Sequence, residues 1–308
     1  MIYTVTLNPA LDRAIFVDRL LDDDTTRVLY ENRYAAGKGI DVSRVIRELG
    51  GISVALGLVG GYEGLELEGL LINAGVLTAF TRIGGETRMN IILSEKATDR
   101  QSVISAAGPR ITASEIGHFY DDLRKLQDVS HMVLSGSLPR GVTSNLYGQI
   151  ILANKKTGAF ILLDTDGDAL KESIAYQPTA IKPNRHELSR LVGRSLIHEP
   201  EILMACDEIH RSGVFYILVS LGKEGLILST LDRKIKAVAP PVKVGSTVGA
   251  GDSAAAGFIL AHSRGENLKE CARLACAAGT ATAKTPGTEL CHLKTVESLF
   301  PLVEISDL

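Results

Sequence analysis

The chain has 308 residues, 45% of them hydrophobic and 22% charged, with 30 Gly and only 10 Pro; this excludes a disordered or fibrous protein and allows a large core without disulfides or metal staples. Lys and Arg number 33 against 36 Asp and Glu, a formal net charge of -3, with no long like-charge block, so neither duplex nucleic acid nor an anionic membrane is expected as a main partner.

Met1-Ile2-Tyr3-Thr4-Val5-Thr6-Leu7 alternates apolar and polar residues like a strand and lacks the basic start and apolar run of a signal peptide. No segment approaches the ~20 apolar residues that cross a bilayer. The cysteines at 206, 271, 276 and 291 contain no C-x-x-C pair, which argues against a disulfide framework or zinc ribbon. The reading is a cytoplasmic protein.

Residues 12–35 show no helical period. Ala35-Ala36-Gly37-Lys38-Gly39-Ile40-Asp41 then leads into a helix ending near Leu49. Its glycines permit close approach to a small ligand, and Lys38 and Asp41 could serve an anion and sugar hydroxyls; a Gly-rich turn with a solvated Lys explains it equally well. Ile52–Val59 reads as a strand and Glu63–Ala74 as a helix. Residues 87–105 again leave the rhythm, with Thr87–Leu93 alternating as if half exposed. These two irregular stretches are expected to pair into a small β layer, which needs a ligand on one face and a second subunit on the other for cover.

Met132–Ser135 is a predicted strand whose following loop carries Ser137, a sugar-phosphate contact or only a turn residue. Ser144–Lys156 reads as a helix and Phe160–Leu163 as a strand. Lys182-Pro183-Asn184-Arg185-His186-Glu187 places Asn184 and Glu187 one turn apart, able to hold a hydrated Mg2+ or to form a capping box. Ser220, Gly222 and Gly225 follow the strand Tyr216–Val219, where open α/β sheets place ligands, or they merely turn into Leu226–Ser229. The sharpest signal is Ser246-Thr247-Val248-Gly249-Ala250-Gly251-Asp252-Ser253 before an apolar helix. Such a turn leaves backbone N–H groups unpaired at the positive end of the helix dipole. Asp252 would repel a phosphate there unless its task is to take a proton from an attacking hydroxyl; the bland alternative is a first-turn carboxylate on a tight turn. The Walker loop, G-x-G-x-x-G, G-x-S-x-G and H-E-x-x-H patterns are all absent, and no histidine is assigned to a metal.

The alternation of helices and strands predicts α/β architecture with a mostly parallel sheet. In their order, Asn8-Pro9-Ala10-Leu11-Asp12, Gly37-Lys38-Gly39, Gly85-Glu86-Thr87-Arg88, Ser135-Gly136-Ser137-Leu138-Pro139, Lys182-Pro183-Asn184 with Glu187, and Thr247–Ser253 resemble the PfkB family of ribokinase-like carbohydrate kinases, over nearly the whole chain. The nearer likeness is to its phosphofructokinase and tagatose-6-phosphate kinase branch.

The resemblance implies a single ribokinase-like domain over 1–308, a three-layer sandwich with a β lid from about 12–35 and 87–105, ATP and Mg2+, and a homodimer through the lids. It implies Asp252 as general base, with Gly249, Ala250 and Gly251 as anion hole. Asn184 and Glu187 would organise Mg2+, mostly through water. Lys182, Asn184, Ser220, Gly222, Gly225 and Thr247 would meet the nucleotide; Asp12, Gly37, Lys38, Asp41, Arg88 and Ser137, with Arg27 from the lid, the sugar phosphate. The expected acceptor is a ketohexose monophosphate, fructose 1-phosphate or fructose 6-phosphate. Tagatose 6-phosphate, an unphosphorylated sugar or nucleoside, and a catalytically silent sugar-phosphate sensor are the alternatives, and the missing fingerprint disfavours a Rossmann dehydrogenase. Ala36 and Asp41 depart from the family's Gly and Asn, and a carboxylate at 41 cannot donate as an amide does. Thr285 stands where related phosphofructokinases carry Asn near the nucleotide.

Overall fold

The computed structural model describes residues 1–308, the side chain of Lys156 excepted. Its strands are β1 (Ile2–Thr6), β2 (Ala10–Val17), β3 (Val28–Ala36), β4 (Ser53–Val59), β5 (Leu77–Arg82), β6 (Arg88–Glu95), β7 (Arg100–Ile104), β8 (His131–Ser135), β9 (Phe160–Asp164), β10 (Ala180–Ile181), β11 (Tyr216–Ser220), β12 (Leu226–Ser229), β13 (Lys234–Val238) and β14 (Glu304–Asp307). The helices are α1 (Lys38–Glu48), α2 (Gly61–Asn73), α3 (Ala113–Arg124), α4 (Leu146–Asn154), α5 (Gly167–Ile174), α6 (Arg185–Val192), α7 (Glu199–His210), α8 (Ala250–Ser263), α9 (Leu268–Ala283) and α10 (Leu293–Leu299).

Ten strands form one sheet in the order β14-β13-β12-β11-β10-β9-β8-β1-β4-β5. It is parallel from β11 to β5 and antiparallel beyond β11. Strand alternation builds two cores: Ile2, Val133, Leu162 and Leu218 face α1, α8 and α9, whereas Tyr3, Met132, Ile161 and Ile217 face α3, α4 and α7. The alternation in β1 does not mark a wet face, because all five of its residues are buried. Thr4 Oγ1 instead hydrogen-bonds Ser43 Oγ of α1 at 2.8 Å, so its polar atom is satisfied inside the sandwich.

Chain order leaves β1 toward β4 and β5 on one side and toward β8, β9 and β10 on the other. The reversal lies between β1 and β8, the place where open α/β sheets set their ligand crevice, outside the carboxyl ends of the strands. A separate small sheet has the order β3-β2-β6-β7, with β2 parallel to β6 and antiparallel to β3. Its outer parts are open: Val28, Leu29, Tyr30, Val103 and Ile104 are each about half exposed or more. Among the described residues no helix is long and apolar enough to cross a membrane. All four cysteines are free and buried.

Candidate active site

Gly249 caps α8 in the left-handed conformation, φ 74°, and a Cβ there would come within 2.6 Å of Leu290 Cδ2; only glycine fits both constraints. The Ala250 N–H makes a long 3.3 Å bond to Thr247 O. Among the described residues no acceptor meets the N–H groups of Gly249, Gly251 or Asp252, which leaves a cluster of donors at the helix end. Lys182 Nζ lies beside Gly251, 3.3 Å from where a Cβ would stand.

Asp252 follows in the first turn of α8 and is 8% exposed. Its carboxylate has no hydrogen-bond or ion-pair partner among the described residues. Burial first, then the charges of Asp164 and Asp41, push its pKa up to about 8, against the pull of Lys38 and Lys182. Asp252 is thus a first-turn carboxylate, as one sequence alternative expected, and a group near 8 exchanges its proton near neutral pH.

The hub of the site is a residue that the sequence reading missed. Asp164, the last residue of β9, is fully buried and takes Lys38 Nζ at 3.0 Å on Oδ1 and Lys182 Nζ at 3.2 Å on Oδ2. Burial alone would raise its pKa, but the two ammonium groups outweigh it and hold the carboxyl below the usual range. The same pairing drives the Lys38 pKa upward. Lys38 thereby stands between the carboxylates, 4.0 Å from Glu187 Oε1 and within the field of Asp252. Only its position at the carboxyl end of a parallel strand could have flagged Asp164.

Asn184 and Glu187 form the capping box of α6: Asn184 Oδ1 accepts from Glu187 N at 2.9 Å, and Glu187 Oε2 accepts from Asn184 N at 2.7 Å. The box uses one oxygen of each residue, and Glu187 Oε1 remains turned to Lys38. Ser220 bridges back to this turn, its N–H on Pro183 O at 3.1 Å. The 222–225 segment is the tight connection between β11 and β12, closed by Leu221 N on Gly225 O. Thr247 is exposed just before the α8 turn. Thr285 turns inward, its hydroxyl donating to the Thr282 and Glu289 carbonyls, so it has no proton left for a ligand.

The opposite wall comes from the small sheet. Asp12 of β2 is buried and accepts from Asn90 Nδ2 of β6 at 2.8 Å; the two residues are paired across the ladder. Burial raises the Asp12 pKa against that bond and the charges of Arg88 and Arg44. Arg88 donates to Asn8 O and Ala106 O, each at 3.0 Å, and Asn8 Nδ2 donates to Ser137 Oγ at 3.3 Å. Asp41 pairs with Arg44 at 3.0 Å, one turn along α1; burial first, with Asp12 adding to it, takes its pKa up to about 6 against Arg44. Gly39 lets α1 lie against β1, since a Cβ would stand 2.6 Å from Thr6 Oγ1, and Gly37 opens the helix with φ 132°. Asn8 and Asn90 escaped the sequence reading because their roles come from pairing between segments up to 129 residues apart; Arg44 lies one helical turn from Asp41, a spacing that could have flagged it.

Arg27 is not brought to this site within one chain. It lies exposed beside Val28 at the far end of the β2–β3 hairpin, about 20 Å of strand from the Asp12–Tyr34 pair. Among the described residues no three or more Asp, Glu, His or Cys side chains gather as a metal cage.

A family model described as pfkB family carbohydrate kinase matches residues 5–295. The 1-phosphofructokinase of Bacillus subtilis is 34% identical, over 100% of both chains. The D-tagatose-1-phosphate kinase of Bacillus licheniformis is 33% identical over 93% of this chain and 94% of its own. Among solved structures, phosphofructokinase-2 from Escherichia coli in complex with potassium superposes with a TM-score of 0.93 at 33% identity, covering 97% of this chain and 98% of that one.

Proposed function

The chain belongs to the pfkB family of carbohydrate kinases, and from that premise we propose that it transfers the terminal phosphoryl group of ATP to a hydroxyl of a ketohexose monophosphate, fructose 1-phosphate or fructose 6-phosphate. The observation that carries the reading is Asp252: an unpartnered carboxylate with a pKa near 8, set among unpaired N–H donors at a helix end and beside two ammonium groups.

Asp252 takes the proton of the acceptor hydroxyl as its oxygen attacks. The N–H groups of Gly249, Gly251 and Asp252, with the weakly engaged Ala250 N–H, stabilise the charge spreading over the transferred group, and Lys182 neutralises the phosphates from the side of β10. Lys38 exchanges its contact with Asp164 for the incoming phosphoryl oxygens. Ser220, Gly222, Gly225 and Thr247 edge the nucleotide, while Asp12, Asp41, Gly37, Arg88 and Ser137 orient the sugar phosphate. Mg2+ would fit as a hard cation taking few protein oxygens: Glu187 and Asn184 would hold it, mostly through water, and the buried Asp164 Oδ2, which lacks a well-directed hydrogen bond, would add a carboxylate. When bound it neutralises charge on the phosphates.

The protein is one domain, in which the small sheet acts as a lid over the acceptor. Pairing of two lids into a homodimer would cover Val28, Leu29, Tyr30, Val103 and Ile104 and present Arg27 to the partner's crevice. The buried free thiols suit a reducing cytoplasm.

ADP release with fructose, tagatose and other hexose phosphates, beside the unphosphorylated sugars, tests the proposal. Sugar-phosphate-dependent release that falls ~100-fold or more in Asp252→Asn is expected. No release with any phosphorylated ketohexose, or a variant retaining most of the turnover, overturns it.

A further inference from the structure

Beyond Arg88, the lid side of the crevice carries two arginines that the site above does not use. Arg88, Arg110 and Arg140 line an open, shallow cleft of about 550 Å3. Arg110 and Arg140 are paired across a parallel backbone bridge, with Ile111 N donating to Arg140 O at 2.8 Å. Directly paired residues project to the same side of a ladder, and both side chains line the cleft. Among the described residues none of the three arginines has a carboxylate within ion-pair distance. The cleft's one acid, Glu86, lies over Gly61 at the start of α2, where a Cβ would meet its Oε1 at 2.8 Å, so its charge is directed at a helix N-terminus.

Arg88 stands in the field of Asp12, whereas Arg110 and Arg140 have no carboxylate at ion-pair distance among the described residues, and like charges gathered in this way favour a bound anion. The cleft also has a fixed frame. Arg140 Nη2 donates to Gly108 O at 2.7 Å, Gly108 packs against Asn8, and Asn8 links Arg88 to Ser137. All of these belong to the acceptor wall beside β1 and β8, whereas Lys182, Asn184 and Ser220 lie toward β10 and β11. We propose that Arg110 and Arg140 extend the Arg88 site into a three-arginine receiver for the phosphate that the acceptor already carries, and that Arg140 selects phosphorylated over unphosphorylated ketohexoses. A guanidinium fork matches a phosphate dianion in shape as well as charge.

The inference rests on the kinase reading, so wild-type turnover is measured first, with the ketohexose phosphate that gives the fastest ADP release. Its Kd is then measured by calorimetry without nucleotide, and its KM at saturating ATP, for wild type, Arg110→Ala, Arg140→Lys and Arg140→Gln. The Gln variant keeps a donor for Gly108 O and loses the charge. Both constants are expected to rise about tenfold or more in Arg140→Gln and Arg110→Ala, and less in Arg140→Lys, while the KM for ATP moves less than about twofold. An active wild type with unchanged constants in Arg140→Gln and Arg110→Ala overturns the inference alone, as does an equal rise in the KM for ATP, which marks general distortion. A wild type inactive with every ketohexose phosphate removes the kinase reading and this inference with it.

Discussion

Replacing Asp252 by Asn is expected to make the ligand-free protein more stable, by an amount that grows with pH. The folded state raises this carboxyl from 3.8 to about 8, chiefly by burial and then through Asp164 and Asp41. A group whose folded pKa lies above its unfolded one favours the folded state fully below the unfolded value, and that contribution is lost as pH rises through the folded value. Roughly four units at ~1.4 kcal/mol each set a ceiling of about 6 kcal/mol. Asp252 shares its field with Asp164, Asp41, Lys38 and Lys182, which readjust when its charge is removed, so about 1–3 kcal/mol is the expected gain near pH 8.5. At about 2–4 °C per kcal/mol, the variant should melt several degrees above wild type near pH 8.5 and much closer to it near pH 4.5. Thermal melts at the two pH values, without nucleotide or sugar, read this directly. A gap of the same size at both pH values, or a variant less stable than wild type near pH 8.5, would refute the argument that the fold forces a charge into an unwelcoming place.

Asp41→Asn removes one of the charges that hold Asp252 up, so the acidic limb of the kcat/KM profile for the acceptor should move to lower pH, by on the order of half a unit; a profile at saturating ATP checks it. Asp164→Asn leaves the Lys38 and Lys182 ammonium groups without their shared buried counter-charge. It should cost about 3–5 kcal/mol in urea unfolding, with partial recovery on adding Lys38→Met. Gly249→Ala imposes a left-handed conformation on a residue with a Cβ and drives that carbon toward Leu290. A loss of at least ~1–2 kcal/mol is expected in the same measurement.

The residues that sequence made legible are those whose chemistry depends on near neighbours. Gly249 to Asp252 form one turn, and Asn184 and Glu187 one capping box, so spacing alone brings each set together. Of the two readings the structure shows the box, which consumes Asn184 Oδ1 and Glu187 Oε2 while Glu187 Oε1 faces Lys38. The alternation of β1 pointed to a strand but not to its depth, because burial on both faces depends on helices far along the chain. Asp164 ends an apolar strand as many turn-forming aspartates do. Its meaning comes from Lys38, 126 residues earlier, and from Lys182, and no local pattern holds that pairing.

The arrangement around Asp164 also explains how one crevice tolerates so many charges. In a low-dielectric interior an unpaired ammonium is as costly as an unpaired carboxylate, and their mutual attraction offsets that cost only while they remain close. Asp164 keeps Lys182 beside the α8 turn and Lys38 beside Glu187, so under the proposed function neither cation would have to be ordered or desolvated when phosphate oxygens enter. Among the described residues of the site Asp252 is left without a hydrogen-bond or ion-pair partner, and burial together with the charges of Asp164 and Asp41 raises its pKa. Were either lysine to pair with Asp252 instead, the carboxyl would ionise readily and be a weaker base.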